Sequence, residues 1–495
     1  MTLLVDLLLL AFVAFPVSAA VDDPAVTIKQ GVNLLAEGDD LADKGEYTEA
    51  VIRYKRAMER LLPTLRQIPF KHEVKRDVTR REDMKALLIK EIEQDTSPEE
   101  FRLNEVAFKL LGLLPAELNL KEMLAQVYSE EVAAFYDTKT KTMHLIEEPK
   151  PKTKPKPSFL ERLFGGKSDF DKDENKTVIA HELTHALADQ NFDIDAMQEA
   201  VKKDDDQSLA LTALIEGEAT LAMFGAGMDD WRGGQIVHLP AKNLESMFNF
   251  LSPFMPMMGS GKTLRSAPPI LVESMAFPYF RGMVFCAKLT NERGWEGIDA
   301  AYRTPPQSTE QILHPEKFGA RLDRPTAIDL GVLSPGAGWK ELGRNVLGEM
   351  QMGVMLRGQG GKKTAAGWDG DRYAVFEDAK NKKFALAWLT TWDDETEAKE
   401  FAGAYLRYQS TKIAGLAPPT KPVGDAVWRD LDDRVYVVER AGQDVAIVEG
   451  LSPAATAIVV GQLKKATKTE LKPRVNPHAP AAKPEPEADP VRTSE

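Results

Sequence analysis

Residues Thr177–Gln190, TVIAHELTHALADQ, decide the fold. Apolar Val178, Ile179, Leu183, Ala186 and Leu187 make the segment largely apolar and predict a buried helix. On a helix, positions i and i+4 stack on one face, so His181 and His185 can aim two imidazole nitrogens at one point. Two imidazoles at this spacing suit a zinc ion, and Glu182 beside them is placed to take a proton from a water held there. Histidine is scarce, with 7 in 495 residues, so the pairing carries weight. The bland alternative is a solvated helix that happens to carry His, Glu and His. The apolar neighbours argue against it, because buried polar groups need partners.

Zinc at a hydrolytic site takes three protein ligands and leaves one position open. The next run of strong helix formers, Gln207–Met228, offers Glu216 and Glu218. These lie about 200° apart around a helix, so only one can face the metal. Glu216 has small helical neighbours, Thr212, Ala213, Ala219 and Thr220, which let a second helix approach. Glu218 sits among bulkier Leu214, Ile215 and Leu221, with Ala222. Glu216 is the expected ligand. Glu218 is the runner-up, or a partner for a ligand imidazole. Asp189, four residues after His185, is expected either to accept the free N–H of a ligand imidazole or to be a plain helix-end residue.

The string His-Glu-Leu-Thr-His-Ala at 181–186, followed after a spacer by Glu216-Gly217, resembles the gluzincin class of zinc metallopeptidases, of which thermolysin is the familiar member. The resemblance implies a zincin-like domain, one Zn²⁺ on His181, His185 and Glu216, and Glu182 as general base. The Glu-Gly step is more similar to the aminopeptidase branch. Thermolysin-like enzymes carry Asp four residues after the ligand Glu, where this chain has Thr220, and the spacer here is longer than is typical. Ala180–Phe192 and Ser308–Phe318, STEQILHPEKF, also resemble a set of bacterial exported proteins. The resemblance to peptidases covers only the segments around the metal and transfers no substrate.

A chain of 495 residues, 43% hydrophobic and 28% charged, reads as a soluble globular protein of several domains. Its net charge of −13 disfavours nucleic acid and anionic membranes as partners. Met1–Ala20 resembles a signal peptide: Leu7–Pro16 is apolar, and Val17-Ser18-Ala19-Ala20 offers small residues for cleavage, although Asp6 stands where a positive charge is usual. Export to the periplasm, cell envelope or medium is expected. No other segment reads as a membrane span, so none is expected after cleavage. Cys286 is the sole cysteine, which excludes an internal disulfide and reads as an inert buried thiol.

The expected fold class is α+β, with a zincin-like metallopeptidase domain between a helical hairpin and a small C-terminal α+β domain. Residues 21–120 form the helical N-terminal region. Within it Ala25–Pro63 is a hairpin whose second half, with Gly45, Tyr47, Ala50, Tyr54, Ala57 and Pro63, resembles one tetratricopeptide unit. A single copy cannot build a solenoid, so the hairpin should pack on its neighbour. Phe70–Leu120 reads as helical and charged. Residues 121–345 form the catalytic domain, with 149–175 as a flexible low-complexity insertion. Ala133–Tyr136 and Met143–Ile146, flanking Asp137–Thr142, predict a β-hairpin whose edge could pair with an extended peptide. His144 is expected to be a strand residue. Met247–Gly259 is strongly apolar and reads as core rather than as a lid.

His314, in the loop-rich Tyr302–Phe318, is expected to donate a hydrogen bond to a developing oxyanion or to shape its loop, with Tyr302 a weaker candidate. Residues 365–465 repeat a strand–strand–helix order, with Val427–Glu439 as one strand, and 466–495 read as a disordered tail. The function expected is that of a zinc-dependent hydrolase acting on a peptide or protein substrate. The hairpin or the C-terminal domain is the expected surface for any protein partner. The competing class is a non-catalytic zinc-containing binding or scaffold protein of the cell envelope, in which Cys286 or His314 closes the metal site as a fourth ligand.

Overall fold

Asp23 begins the first helix by accepting a hydrogen bond from the Ala25 N–H (2.9 Å), with Pro24 in the first helical position, where its missing N–H has no consequence. Helices α1 (Pro24–Asp43) and α2 (Tyr47–Arg66) form the N-terminal hairpin. A computed structural model describes residues 23–80, 90, 96–131, 134–147, 172–251, 262–319, 321–416 and 426–482. The expected signal peptide, most of the 149–175 insertion and residues 252–259 of the apolar run lie outside these. Tyr54, Leu61, Leu62 and Leu65 of α2 are fully buried, and α2 packs on the two-histidine helix, so its apolar face is occupied.

The stretch after the hairpin corrects the helical reading of Phe70–Leu120. It contains β1 (Lys75–Arg80) before α3 (Pro98–Leu110) and α4 (Leu120–Glu131). β1 pairs in parallel with β3 (Thr142–Glu147), and β3 pairs antiparallel with β2 (Ala134–Asp137), giving the order β1-β3-β2. Lys-Arg-Asp-Val-Thr-Arg has no apolar alternation; its strand state comes from a partner more than sixty residues away.

The helical centre follows: α5 (Lys172–Phe192), α6 (Ile194–Val201), α7 (Asp205–Gly227), α8 (Ala241–Leu251), α9 (Lys262–Ser266), α10 (Pro269–Arg293), α11 (Trp295–Arg303) and α12 (Thr309–Leu313). Contrary to the sequence reading, α7 and α10 are both long and apolar enough to cross a membrane. Their apolar windows are 78% and 72% buried within the structure, against each other and their neighbours. Where they cross, Gly217 meets Gly282. A Cβ on Gly217 would stand 2.2 Å from the Gly282 carbonyl carbon, and one on Gly282 would stand 2.0 Å from the Ala213 oxygen. Only glycine permits that approach. Gly217→Ala should therefore destabilise by about 1–3 kcal/mol and weaken metal retention, because α7 must shift by more than side chains can absorb. A melting temperature and metal content equal to wild type would refute this.

The C-terminal part contains β4 (Thr326–Asp329), β5 (Lys340–Asn345), α13 (Gly348–Met355), α14 (Lys362–Ala365), β6 (Trp368–Asp378), β7 (Lys383–Trp392), α15 (Glu395–Lys412), β8 (Ala426–Leu431), β9 (Arg434–Ala441), β10 (Asp444–Leu451), α16 (Pro453–Leu463) and β11 (Thr467–Glu470). An antiparallel sheet runs β5-β6-β7-β10-β9-β8. The segment read as one strand over 427–439 is a hairpin, turning where Asp432 has φ 55°. β5 joins this sheet from a stretch assigned by sequence to the preceding domain. The expected disordered tail is ordered up to the limit of the described residues. β11 pairs with β4, and buried Asn476 donates from Nδ2 to the Phe192 oxygen (2.8 Å). Its polar, proline-rich composition reads as disorder, but partners distant in sequence supply the hydrogen bonds that hold it. The chain is a mixed α+β fold with an N-terminal helical hairpin and a C-terminal sheet.

Candidate metal centre

His181 and His185 lie on one face of α5, and α7 runs beside it and brings Glu216 to the same point. His181 Nε2 lies 3.1 Å from Glu216 Oε2, His185 Nε2 lies 3.4 Å from it, and the two Nε2 atoms are 3.1 Å apart. A tetrahedral zinc with ligand bonds of about 2.0–2.1 Å sets its donors about 3.3 Å apart. The triangle fits that ion to within a few tenths of an ångström. His181 is nearly enclosed, whereas the side chains of His185 and Glu216 keep 13% and 19% of their exposure. One side of the cluster therefore remains reachable. Among the described residues, no further His, Cys, Asp or Glu joins the three.

Burial alone would lower the His185 pKa, but the Glu216 carboxylate overrides it and pushes the imidazole up to about 9. Burial would raise Glu216, yet the two imidazoles hold it far below the usual carboxylate range. Without a cation the cluster thus carries a proton between base and acid at neutral pH. A metal must displace that proton, since it binds only neutral imidazole. Zinc affinity should therefore rise about tenfold per pH unit up to about pH 9, checked by chelator competition from about pH 6 to about pH 8. A flat profile would show that His185 is not a ligand.

Glu182 is buried beside the triangle. Desolvation raises its pKa, the two imidazoles pull it back, and its carboxylate accepts the Tyr136 backbone N–H. Edge strand β2 therefore lies against the site. The Tyr279 ring of α10 stacks over His181, with centroids 6.0 Å apart and planes 21° from parallel. The sequence reading missed Tyr279. Its only signal is an aromatic next to Pro278 in an otherwise apolar helix, which reads as core.

The other candidates separate. Glu218 does not join the triangle: it accepts hydrogen bonds from Arg66 Nε and from the Tyr302 hydroxyl, all three groups being fully buried. Asp189 does not reach a ligand imidazole. It accepts from the Tyr136 hydroxyl (2.9 Å) and the Ile194 N–H (3.1 Å), and pairs with Lys141 (2.9 Å), tying β2 and its turn to the end of α5. His181 Nδ1 is buried without a partner among the described residues. His144 is a buried strand residue stacked on Phe135, with ring centroids 4.8 Å apart.

His314 does not join the triangle's group: its Nε2 lies 3.0 Å from Glu349 Oε1, the local engagement that is the alternative to an oxyanion role. The sequence reading placed it in a loop, whereas it caps the end of α12, and nothing local pointed to Glu349 as its partner. Tyr302, the weaker candidate, is committed to Glu218. Cys286 is buried, its thiol against the Leu214 oxygen (3.6 Å), and burial pushes its pKa well up. A second acidic group, Glu310, Asp323 and Asp393, surrounds the Lys317 ammonium at 2.6, 3.0 and 2.7 Å, so a lysine already supplies the positive charge there.

Residues 337–460, spanning the six-stranded sheet from β5 to β10 and most of α16, match a family described as a domain of unknown function (DUF8575). The match leaves the triangle of His181, His185 and Glu216 outside. No curated protein and no solved structure matches the chain.

Proposed function

We propose that this protein is an exported zinc metallopeptidase with a zincin-like catalytic region. The observation that carries the reading is the triangle of His181, His185 and Glu216, with donor separations of 3.1–3.4 Å and a buried carboxylate, Glu182, alongside. Zinc held there would supply Lewis acidity, making water a nucleophile near neutral pH and polarising a carbonyl.

The remaining work falls to side chains. Glu182 accepts the proton of the attacking water and returns it to the leaving amine. Its burial raises its pKa, which suits a group that must first take and then give a proton near neutrality. The Tyr136 N–H orients the Glu182 carboxylate, and Asp189 fixes Tyr136 through its hydroxyl. Strand β2, at the sheet edge beside the site, supports an extended peptide as substrate, since such an edge can add a strand. A structural zinc would need a fourth protein ligand. Cys286 and His314, the two residues that could have closed the site, are engaged elsewhere.

The test is metal analysis together with hydrolysis of a quenched peptide library. One zinc per chain, lost in His185→Ala together with cleavage, is expected. One tightly bound zinc with an uncut library would favour the scaffold reading instead.

A further inference from the structure

On α10, Phe277 and Phe280 lie about 140° and about 200° around the helix from Gly282, which faces α7. The two phenylalanines therefore line a separate cavity, of about 60 Å³, several times what one water requires. Phe248, Leu313, Met350 and Val354 complete its apolar wall. Glu349 reaches this wall, is 3% exposed, and uses Oε1 to meet His314 Nε2 at 3.0 Å; its Oε2 is buried with no hydrogen-bond partner among the described residues. A buried acceptor left unmatched in an aromatic cavity is costly unless a ligand donates to it. Lys362, exposed at the same cavity, brings positive charge to its rim, beside Arg281, which pairs with Glu245 at 3.4 Å and also bonds Asn249. Glu273, the other acidic lining residue, is paired with Arg357.

An apolar pocket with an unmatched acceptor inside and cations at its rim is complementary to a small zwitterion. We propose that this cavity binds an apolar α-amino acid. Its side chain would lie among Phe277, Phe280 and Val354, its ammonium would donate to Glu349 Oε2, and its carboxylate would face Lys362 and Arg281. A lone amine would meet the repulsion of the two cations, and a lone carboxylate would leave Glu349 unmatched. From the STEQILHPEKF stretch, Leu313 lines this pocket and His314 holds Glu349 from behind it. The inference does not depend on zinc or on peptide hydrolysis.

Calorimetric titration of the full chain tests it, with L-leucine and L-phenylalanine as probes. Isoamylamine, 4-methylpentanoate and glycine each lack one of the three features. Saturable binding of the two amino acids is expected, with each control at least about tenfold weaker. Lys362→Gln, at an exposed position that leaves the fold intact, should weaken leucine about tenfold and strengthen isoamylamine, whose ammonium no longer meets that charge. Glu349→Gln should weaken leucine and isoamylamine alike, and Glu182→Gln should bind leucine as wild type does. Absence of saturable binding by the folded wild type overturns the proposal. So does amine affinity equal to that of the amino acid, or a Lys362→Gln protein that binds leucine unchanged.

Discussion

Glu182→Gln is expected to retain one zinc at wild-type affinity and to lose about 10²–10⁴ in kcat, with little change in KM. The substitution is nearly isosteric and leaves all three donors of the triangle untouched. Its amide can neither take a proton from water nor return one to an amine. The Tyr136 N–H can still bond the amide oxygen, so the side chain should keep its place. A structural role would give a different pattern: lost metal or a lowered melting temperature, with kcat falling only in proportion to the folded fraction. Equal turnover in the two folded, zinc-loaded proteins would remove Glu182 from the mechanism.

Arg66→Met is expected to destabilise the protein by about 3–5 kcal/mol and to release metal at chelator concentrations that the wild type withstands. Arg66 closes α2 and is fully buried. Its Nε donates to Glu218 and its Nη2 to Asp299 Oδ1 at 2.7 Å, while the guanidinium lies 5.0 Å from the centre of the Trp295 ring. Methionine would leave two buried carboxylates facing each other without a cation. The strain would fall on Glu218, two residues from Glu216, and so on the helix that presents the ligand. The companion is the triple replacement Arg66→Met, Glu218→Leu, Asp299→Leu, which removes all three charges and should recover most of the stability. A single Arg66→Met protein that melts with the wild type would mean that the hairpin and α7 are not coupled through this ion pair.

The parts of the site legible in sequence were those fixed by helical repeat. His181, Glu182 and His185 needed only the 3.6-residue period and their apolar neighbours to be placed on one buried helix. The choice between Glu216 and Glu218 rested on side-chain size alone. It agreed with the geometry, yet the deciding contact, Arg66 drawing Glu218 the other way, joins residues 152 apart and has no local signature. The partner of His314 was hidden for the same reason. The prolines around it read as loop, and they reveal neither the helix it caps nor its partner, Glu349. Strand β1 and the segment 467–482 likewise owe their state to distant hydrogen-bond partners, and neither carries a hydrophobic period that could announce it.

What the chain's local order settled by itself is the two-histidine helix and its carboxylate, together with the hairpins and helices whose caps and periods lie within a few residues. Tertiary structure alone decided which acid meets the imidazoles, which partner His314 finds, and where residues 467–482 of the polar tail lie. Spacing along a helix is a local geometric constraint. Side-chain partnership across helices is a competition among buried charges, settled only once the helices pack.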